Sequence, residues 1–395
     1  MEWEHKMESI AEVSVQPSVF EVVNDVSKGT VTSETFWASH NAEGKTVYED
    51  IDVYRRGDEV VMEPVGFTGI KVVRESRHVL VLKYKDKEYK LRFPRKVYSR
   101  YSSDRDLTSV DVSPKGELIV VGDNSGGVQV LSSIDGEVRR KLCGHLIHTT
   151  CVKFFASGEV VISAGMDLQL KIWSVVDGSN PRTLMGHKGT VNDIALVGRG
   201  RNVLSAASDA TVKLWECGSA QCIHTFKLTA PVNAIILLTT DDVTASNGIS
   251  EFEFETAGKI LVAGADDGRI VAWNLVTKEQ LGELKLSSIV TKLCPIAGTQ
   301  FAYGLDNGEV GILDVRSLER PSVKFVKSSA RITALTASET RLVIGSDDNL
   351  PYEIALQSSI PTYLGGLENP VTGAIMAQNG SSVHIITKSG VIRTI

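Results

Sequence analysis

The chain has 395 residues, 42% hydrophobic and 23% charged, the balance of an ordinary soluble globular protein and long enough for one large β domain with a smaller appendage. Its formal net charge of -6 weighs against nucleic acid or an anionic membrane as principal partner, because both demand a concentrated cationic surface, and leaves basic protein partners open. The 34 glycines against 11 prolines fit a fold with many tight reversals.

The N-terminus, Met1-Glu-Trp-Glu-His-Lys6, lacks the cationic start and apolar core of a secretory signal, and no apolar run approaches membrane-spanning length, so an intracellular protein is expected. The first forty residues carry little readable pattern. Residues 49–56 and 59–65 then read as strands. Leu80, Leu82 and Tyr84 alternate with Val81, Lys83 and Lys85, and after Asp86-Lys87 the residues Tyr89, Leu91 and Phe93 alternate with Lys90 and Arg92. This is a hairpin with one apolar face, and the two earlier strands are expected to join its sheet. The cations from Lys83 to Arg100, with Tyr84, Tyr89 and Phe93 between them, can be read as a nucleic-acid surface. Lysines that keep a sheet edge from pairing are the plainer reading. Residues 1–95 are assigned to a small β-rich N-terminal domain and 96–395 to a second unit.

That second unit repeats. Gly144-His145 recurs as Gly186-His187 after 42 residues, a propeller-blade spacing. The internal offsets agree as well: His145, Ser163, Asp167 and Trp173 in one copy match His187, Ser205, Asp209 and Trp215 in the next. Between these markers lie four short strands per copy, at 150–155, 160–164, 168–173 and 182–184, then at 191–197, 202–206, 210–215 and 222–226. The His, Ser, Asp, Trp set resembles the WD-repeat family. A third copy keeps Asp267 and Trp273, but 58 residues separate Asp209 from Asp267, which places an inserted loop near 239–255. Degenerate copies centre on Gly304-Leu-Asp-Asn-Gly308, Gly345-Ser-Asp-Asp348 and Thr387-Lys-Ser-Gly390, and an earlier one on Gly122-Asp-Asn-Ser-Gly126. The expectation is an all-β protein, a seven-bladed WD-repeat β-propeller behind a small β-rich N-terminal domain. The last copy ends after its third strand, so a strand near 96–101 is expected to supply the missing outer one and lock the ring.

Three stretches resemble a narrower family: Leu170-Lys-Ile-Trp-Ser-Val-Val-Asp-Gly-Ser-Asn-Pro-Arg-Thr-Leu-Met-Gly-His187, Gly198-Arg-Gly-Arg-Asn-Val-Leu-Ser205 and Lys213-Leu-Trp-Glu-Cys217. They are similar to the proteasomal ATPase-associated factors, represented in yeast by an assembly chaperone of the proteasome regulatory particle. The resemblance implies binding to the C-terminal domain of one ATPase subunit of the proteasome base, guidance of ring assembly, and departure before the mature particle works. It also implies a cytoplasmic and nuclear location, no cofactor and no catalysis. A monomer on its own, with neither nucleic acid nor membrane as partner, is expected. The competing reading is a substrate receptor of a cullin ubiquitin ligase, because Leu313-Asp-Val-Arg316 loosely resembles the adaptor-docking box of such receptors, with leucine in place of tryptophan.

His145, Ser163 and Asp167 have the composition of a nucleophile triad, as do His187, Ser205 and Asp209. Their duplication in adjacent blades instead points to an internal hydrogen-bond network completed by Trp173 and Trp215. No phosphate-binding Gly-rich loop with Lys-Ser or Lys-Thr and no paired histidines at metal spacing occur. Gly198-Arg-Gly200 is read as a turn, and Asn379-Gly-Ser381 as a hairpin turn rather than a glycosylation site. The five cysteines are expected to be reduced, and Cys217 with Cys222 lacks the second ligand pair that zinc would need. The candidate functional surface is acidic. Asp104, Asp106, Asp123, Asp266, Asp306, Asp347, Asp348 and Glu368 fall in the turns between second and third strands or in the links between blades, which all emerge on one face of a propeller. Their convergence would steer a basic partner, although aspartates also favour tight turns for local reasons.

Overall fold

The computed structural model describes residues 6–42, 44–98, 105–240, 250–356, 361–377, 380 and 382–395. Among these, the strands from Leu107 onward, with Lys96–Tyr98 completing the last, form seven four-stranded antiparallel blades, each running from a hub strand outward. Composition follows radius. Second strands such as Asn202–Ala207 are buried along their whole length, because neighbouring blades cover both faces, and so carry small and apolar residues with only internally bonded polar ones such as Asn202 and Ser205. Outer strands such as Val138–Cys143 carry charge on their exposed face.

One register position shows how the blades stack. Gly122, Ala164, Ala206, Gly264, Gly304 and Gly345 occupy equivalent places at the end of successive second strands. A Cβ on Gly122 would stand 2.6 Å from Thr149, and one on Gly345 would stand 2.7 Å from Val371. Thr149 and Val371 each begin the inner strand of the next blade, so a small residue is the condition for close approach. The same seam is tied by polar side chains. Thr108 donates to the carbonyl of Thr149, Thr150 to Val191, Asn192 to Val232, Asn233 to Val290 and Thr333 to Val371. Each bond crosses from one hub strand to the next, so the repeat spacing becomes a ring.

The ring closes on itself. Leu107, Val110 and Ile119 of the first blade share a core with Ile386 and Ile392 of the last. The last blade has three C-terminal strands, Val371–Met376, Val383–Thr387 and Ile392–Thr394, and takes its outer strand from Lys96–Tyr98. This pairs antiparallel with Ile392–Thr394, as the truncated repeat required; residues 99–101 of the expected strand lie outside the described residues. The insertion in the fourth blade is described only at its edges, since 241–249 lie outside the described residues. Its returning arm is held against the third blade: Asn202 donates to the carbonyl of Phe252 and accepts from the amide of Phe254, and Arg201 stacks over the Phe254 ring.

The N-terminal segment differs from expectation in one respect. The strands read at 49–56 and 59–65 do not share a sheet with the hairpin. Lys45–Arg56 and Glu59–Pro64 pair with Glu12–Val15 and Ser33–Ala42 in a sheet of their own. The hairpin, Val79–Tyr84 and Lys87–Arg92 with Ile70–Ser76, instead extends the sixth blade, Lys87–Arg92 pairing parallel with Pro361–Leu364. Alternation showed which face each strand buries but carried no information about its sheet. Lys6–Ser9 likewise adds a parallel strand to the fifth blade. Between the two sheets lies a helix, Val19–Lys28, whose Val19, Val22, Val23 and Val26 face inward and whose C-cap Gly29 takes φ +76°. The hydrophobic core runs without a break from this helix through the hairpin into the fifth and sixth blades. At ten residues the helix is too short to span a bilayer.

Candidate functional site: the turn-lined face of the propeller

The two tetrads are hydrogen-bonded chains with a fixed direction. Trp173 Nε1–H can only donate, and does so to Ser163 Oγ at 2.8 Å. Asp167 can only accept, from His145 Nδ1 at 2.9 Å. The imidazole therefore carries its proton on Nδ1, and its bare Nε2 accepts from the Ser163 hydroxyl at 2.7 Å. Trp215, Ser205, His187 and Asp209 repeat the chain at 2.8, 2.7 and 3.0 Å. Burial lowers the pKa of both histidines despite the aspartates, which favours the neutral rings that this polarity needs. Both imidazoles are fully enclosed, and each serine hydroxyl is spent inside the chain. The Gly-His dipeptide has a steric cause: a Cβ on Gly144 would lie 2.8 Å from the Trp173 ring, and one on Gly186, at φ +151°, 3.2 Å from that of Trp215.

Where the repeat degenerates, other chemistry takes the same place. In the fifth blade Tyr303 replaces the serine, its hydroxyl donates to Glu309 at 2.7 Å, and Lys324 pairs with the same carboxylate at 2.9 Å. Gly311 leaves room for that ring, since any Cβ there would overlap it. In the sixth blade Lys327, 2% exposed, takes the histidine's role and pairs with Asp348 at 2.8 Å. Burial alone would raise the Asp348 carboxyl, but Lys327 and the hydroxyls of Ser346 and Ser328 hold it below its ordinary value.

This alters the acidic surface read from sequence. Asp348 is the sixth blade's counterpart of Asp167 and Asp209, an internal lock rather than a free contact residue. Asp123 is 0% exposed, and its carboxylate accepts from the Ser125 and Gly127 amides of its own turn while Arg105 lies 3.3 Å away. The turn geometry that made aspartate a surface candidate here consumes it. Glu368 is exposed but lines a cleft against the N-terminal helix rather than the central mouth. Asp104 lies outside the described residues. The mouth itself is lined by Asp106 together with His148, Lys292, Arg331 and Lys388; around it stand Asp266, Asp306 and Asp347. The last three occupy one equivalent turn position in the fourth, fifth and sixth blades, each with its amide bonded to the residue before the hub strand. The same position is Asn124, Met166, Ser208 and Lys388 in the other blades, so the acid forms an arc and not a full ring. Asp266 and Asp347 are exposed, and Arg331 approaches Asp306 at 3.4 Å.

Below the mouth runs a central channel of about 560 Å³ with Cys151, Lys153, Asp193, Lys292 and Cys294 on its wall. Burial pushes both thiols up to about 12, so neither is a nucleophile near neutral pH. Asp193 accepts the Ile235 amide of the next hub strand at 2.9 Å, and Asp111 accepts that of Phe154 at 2.6 Å, which gives both carboxylates structural work. All five cysteines are unpaired, and no cluster of metal-ligating side chains occurs among the described residues. In the cationic hairpin Tyr84 is half-buried against His40, with Lys85 over its ring. Tyr89 and Phe93 are buried, Lys83 pairs with Glu88, Lys90 with Glu75 and Arg92 with Glu353. Its edge is covered by the sixth blade, so its lysines do not guard it either. In the stretch read as a docking box, Arg316 folds back on Asp314 at 2.7 Å.

A closed ring of seven four-stranded blades with buried tetrads defines the class: a WD-repeat β-propeller whose turns and inter-blade links gather on one face. The WD-domain, G-beta repeat family matches residues 136–174 and 178–216, the two blades with complete tetrads, and the model for the middle region of ciliary BBSome complex subunit 2 matches residues 248–348. The chain is 39% identical over 313 residues to the probable proteasomal ATPase-associated factor 1 of Dictyostelium discoideum, covering 73% of each chain. It is also 39% identical over 307 residues to proteasomal ATPase-associated factor 1 of Gallus gallus, covering 76% of this chain and 78% of that one. A shorter match to the Homo sapiens factor is 31% identical over 93 residues, 24% of this chain and 23% of that one. The chain belongs to the proteasomal ATPase-associated factor 1 family.

Proposed function

We propose that this protein is an assembly chaperone of the proteasome regulatory-particle base, and that it holds the C-terminal domain of one ATPase subunit on the turn-lined face of its propeller. The observation that carries this reading is the 39% identity, over three quarters of the chain, to factors named for their association with proteasomal ATPases. The rim supports it physically: Asp266 and Asp347 present exposed carboxylates on one arc, with Asp306 between them answered by Arg331, and exposed acid there attracts a Lys- and Arg-bearing domain and raises its encounter rate. The protein works by binding. The serine hydroxyls and imidazoles of both tetrads are committed to internal bonds, so holding and releasing a partner is the work left to the surface. A cytoplasmic and nuclear location and a monomeric free state go with this role. Affinity purification at native abundance tests it: free ATPase subunits and base precursors are expected, and recovery of mature proteasomes or of a cullin-ligase adaptor instead would overturn it.

A further inference from the structure

The second blade carries an apolar patch that the fold does not need. Leu146 is 84% exposed, Met185 68%, Ile147 52%, Met166 44% and Leu168 37%. They are neighbours on the turn-lined face. The Leu146 amide bonds Asp167, which lies between Met166 and Leu168; the Met166 amide bonds the carbonyl of His148; and Met185 pairs with Gln169 beside Leu168. The third blade is an internal control, because it makes the same bonds at residues 42 positions later. There the Lys188 amide bonds Asp209, the Ser208 amide bonds Thr190, and Thr211 pairs with Lys227. The five equivalents are Lys188, Gly189, Ser208, Ala210 and Lys227. Identical geometry is thus built from polar or small residues one blade away.

Leu168 holds a left-handed φ of +67°, as Ala210 (+60°) and Asn349 (+62°) do in the third and sixth blades, at the turn position that Gly126, Gly268, Gly308 and Gly390 fill elsewhere. The turn conformation is therefore shared, and what sets Leu168 apart is the large apolar side chain that it exposes there. Scattered surface leucines need no explanation, but a contiguous patch rimmed by polar residues marks a contact site. Around a ring of seven, the second blade faces the fifth and sixth, so the patch lies opposite the arc of Asp266, Asp306 and Asp347, with a mouth of about 480 Å³ between them.

We infer that this face takes one kind of partner: a basic protein surface that seats an aliphatic or aromatic anchor on Leu146, Met166, Leu168 and Met185 while its lysines and arginines lie over the acidic arc. This rests on the proposed role in naming a proteasomal ATPase domain as the natural occupant, but the chemistry stands apart from it. The apolar side contributes affinity and slow release, and the acidic side contributes orientation and encounter rate.

The test uses the full-length protein and two variants. Leu146→Ser with Met166→Ser and Met185→Gln removes the apolar side chains without adding charge; Asp266→Asn with Asp347→Asn removes acid from the arc. Each is titrated with the C-terminal domain of every proteasomal ATPase subunit, and with a synthetic amphipathic helix bearing Leu and Phe beside Lys and Arg. Sedimentation of the protein alone runs in parallel. The expected result is a ten-fold or greater loss of affinity in the second-blade variant at unchanged salt dependence, and in the arc variant a slower association with a flatter salt dependence. If an ATPase domain binds the wild type and the second-blade variant equally, the patch proposal falls and the chaperone reading stands. If only the helix binds, and the second-blade variant loses it, the chaperone reading falls and the patch stands. Binding of neither probe overturns both. A concentration-dependent dimer abolished by the second-blade variant would assign the patch to a second copy of this chain and overturn the basic partner.

Discussion

Replacing Ser205 with alanine removes a single oxygen and interrupts the third blade's chain at its centre. That oxygen accepts from Trp215 Nε1 at 2.8 Å, and its proton goes to His187 Nε2 at 2.7 Å. Trp215 is 1% exposed, and the space left by one oxygen is too small to admit a water that could replace it. The variant therefore buries an indole N–H with no acceptor and an imidazole nitrogen with no donor, at about 1 to 3 kcal/mol for each unsatisfied group, so a loss of about 2 to 6 kcal/mol is expected. Urea unfolding followed by tryptophan fluorescence would measure it, with hydrogen exchange to show that the weakened amides lie in the third blade. A second substitution separates the hydrogen-bond loss from packing. In a Trp215→Phe background the donor is already gone, and Ser205→Ala should cost roughly half as much, a coupling of about 1 to 3 kcal/mol. An unfolding free energy for Ser205→Ala within about 0.5 kcal/mol of wild type, the range of neutral surface changes, would refute the directional chain.

Other outcomes follow from the same geometry. Lys327→Met leaves the Asp348 carboxylate buried without its cation and should destabilise by about 3 to 5 kcal/mol in thermal or urea unfolding, whereas Asp347→Asn, on the exposed neighbour, should change stability by less than about 0.5 kcal/mol. Val97→Pro removes a donor from the strand that closes the last blade; amide exchange at Ile392–Thr394 should rise well above that in the second blade, and equal protection would contradict the closure. Tyr303→Phe should cost about 1 to 3 kcal/mol by leaving Glu309 with Lys324 alone, measurable as a lowered melting temperature. Acid should weaken the ring through its histidines. Burial lowers the His384 pKa to about 4, so the unfolded chain takes up this proton first; the stabilisation is whole above 6.5, shrinks as pH falls through that value, and is gone near 4. A displacement of that size corresponds to about 3 kcal/mol. His145 and His187 act in the same direction. Urea midpoints at pH 7.5, 6 and 5 should therefore decline, and His384→Gln should flatten the decline.

The propeller itself was legible because a 42-residue period with a fixed His, Ser, Asp, Trp spacing is local information, and stacking identical blades is the one way such units bury both faces. The missing fourth strand of the last blade was legible for a related reason: an open edge implies a partner, and Lys96–Tyr98 stood nearest in the chain. The helix Val19–Lys28 was not readable, since its inward residues are all valine, which favours strands locally; packing between two sheets overrides that preference. Assignment of the hairpin to the sixth blade was equally closed to sequence, because alternation determines which face of a strand is buried and leaves open which edge it joins.

The acidic face divides along the same line. Turn position, read from spacing, placed Asp266, Asp306 and Asp347 on one rim. Only the tertiary structure could show that Asp123 is consumed by its own turn, and that Asp348 is a tetrad aspartate answered by Lys327 from the preceding outer strand's end. It also took the superposed geometry of adjacent blades to show Leu146, Met166, Leu168 and Met185 as a patch, since in sequence they are single hydrophobic residues among strands full of them. Spacing along the chain decides which blade a residue enters and at what height. Whether a charge there meets solvent or a buried counter-charge is decided by segments that arrive from elsewhere in the chain, and no local pattern records their arrival.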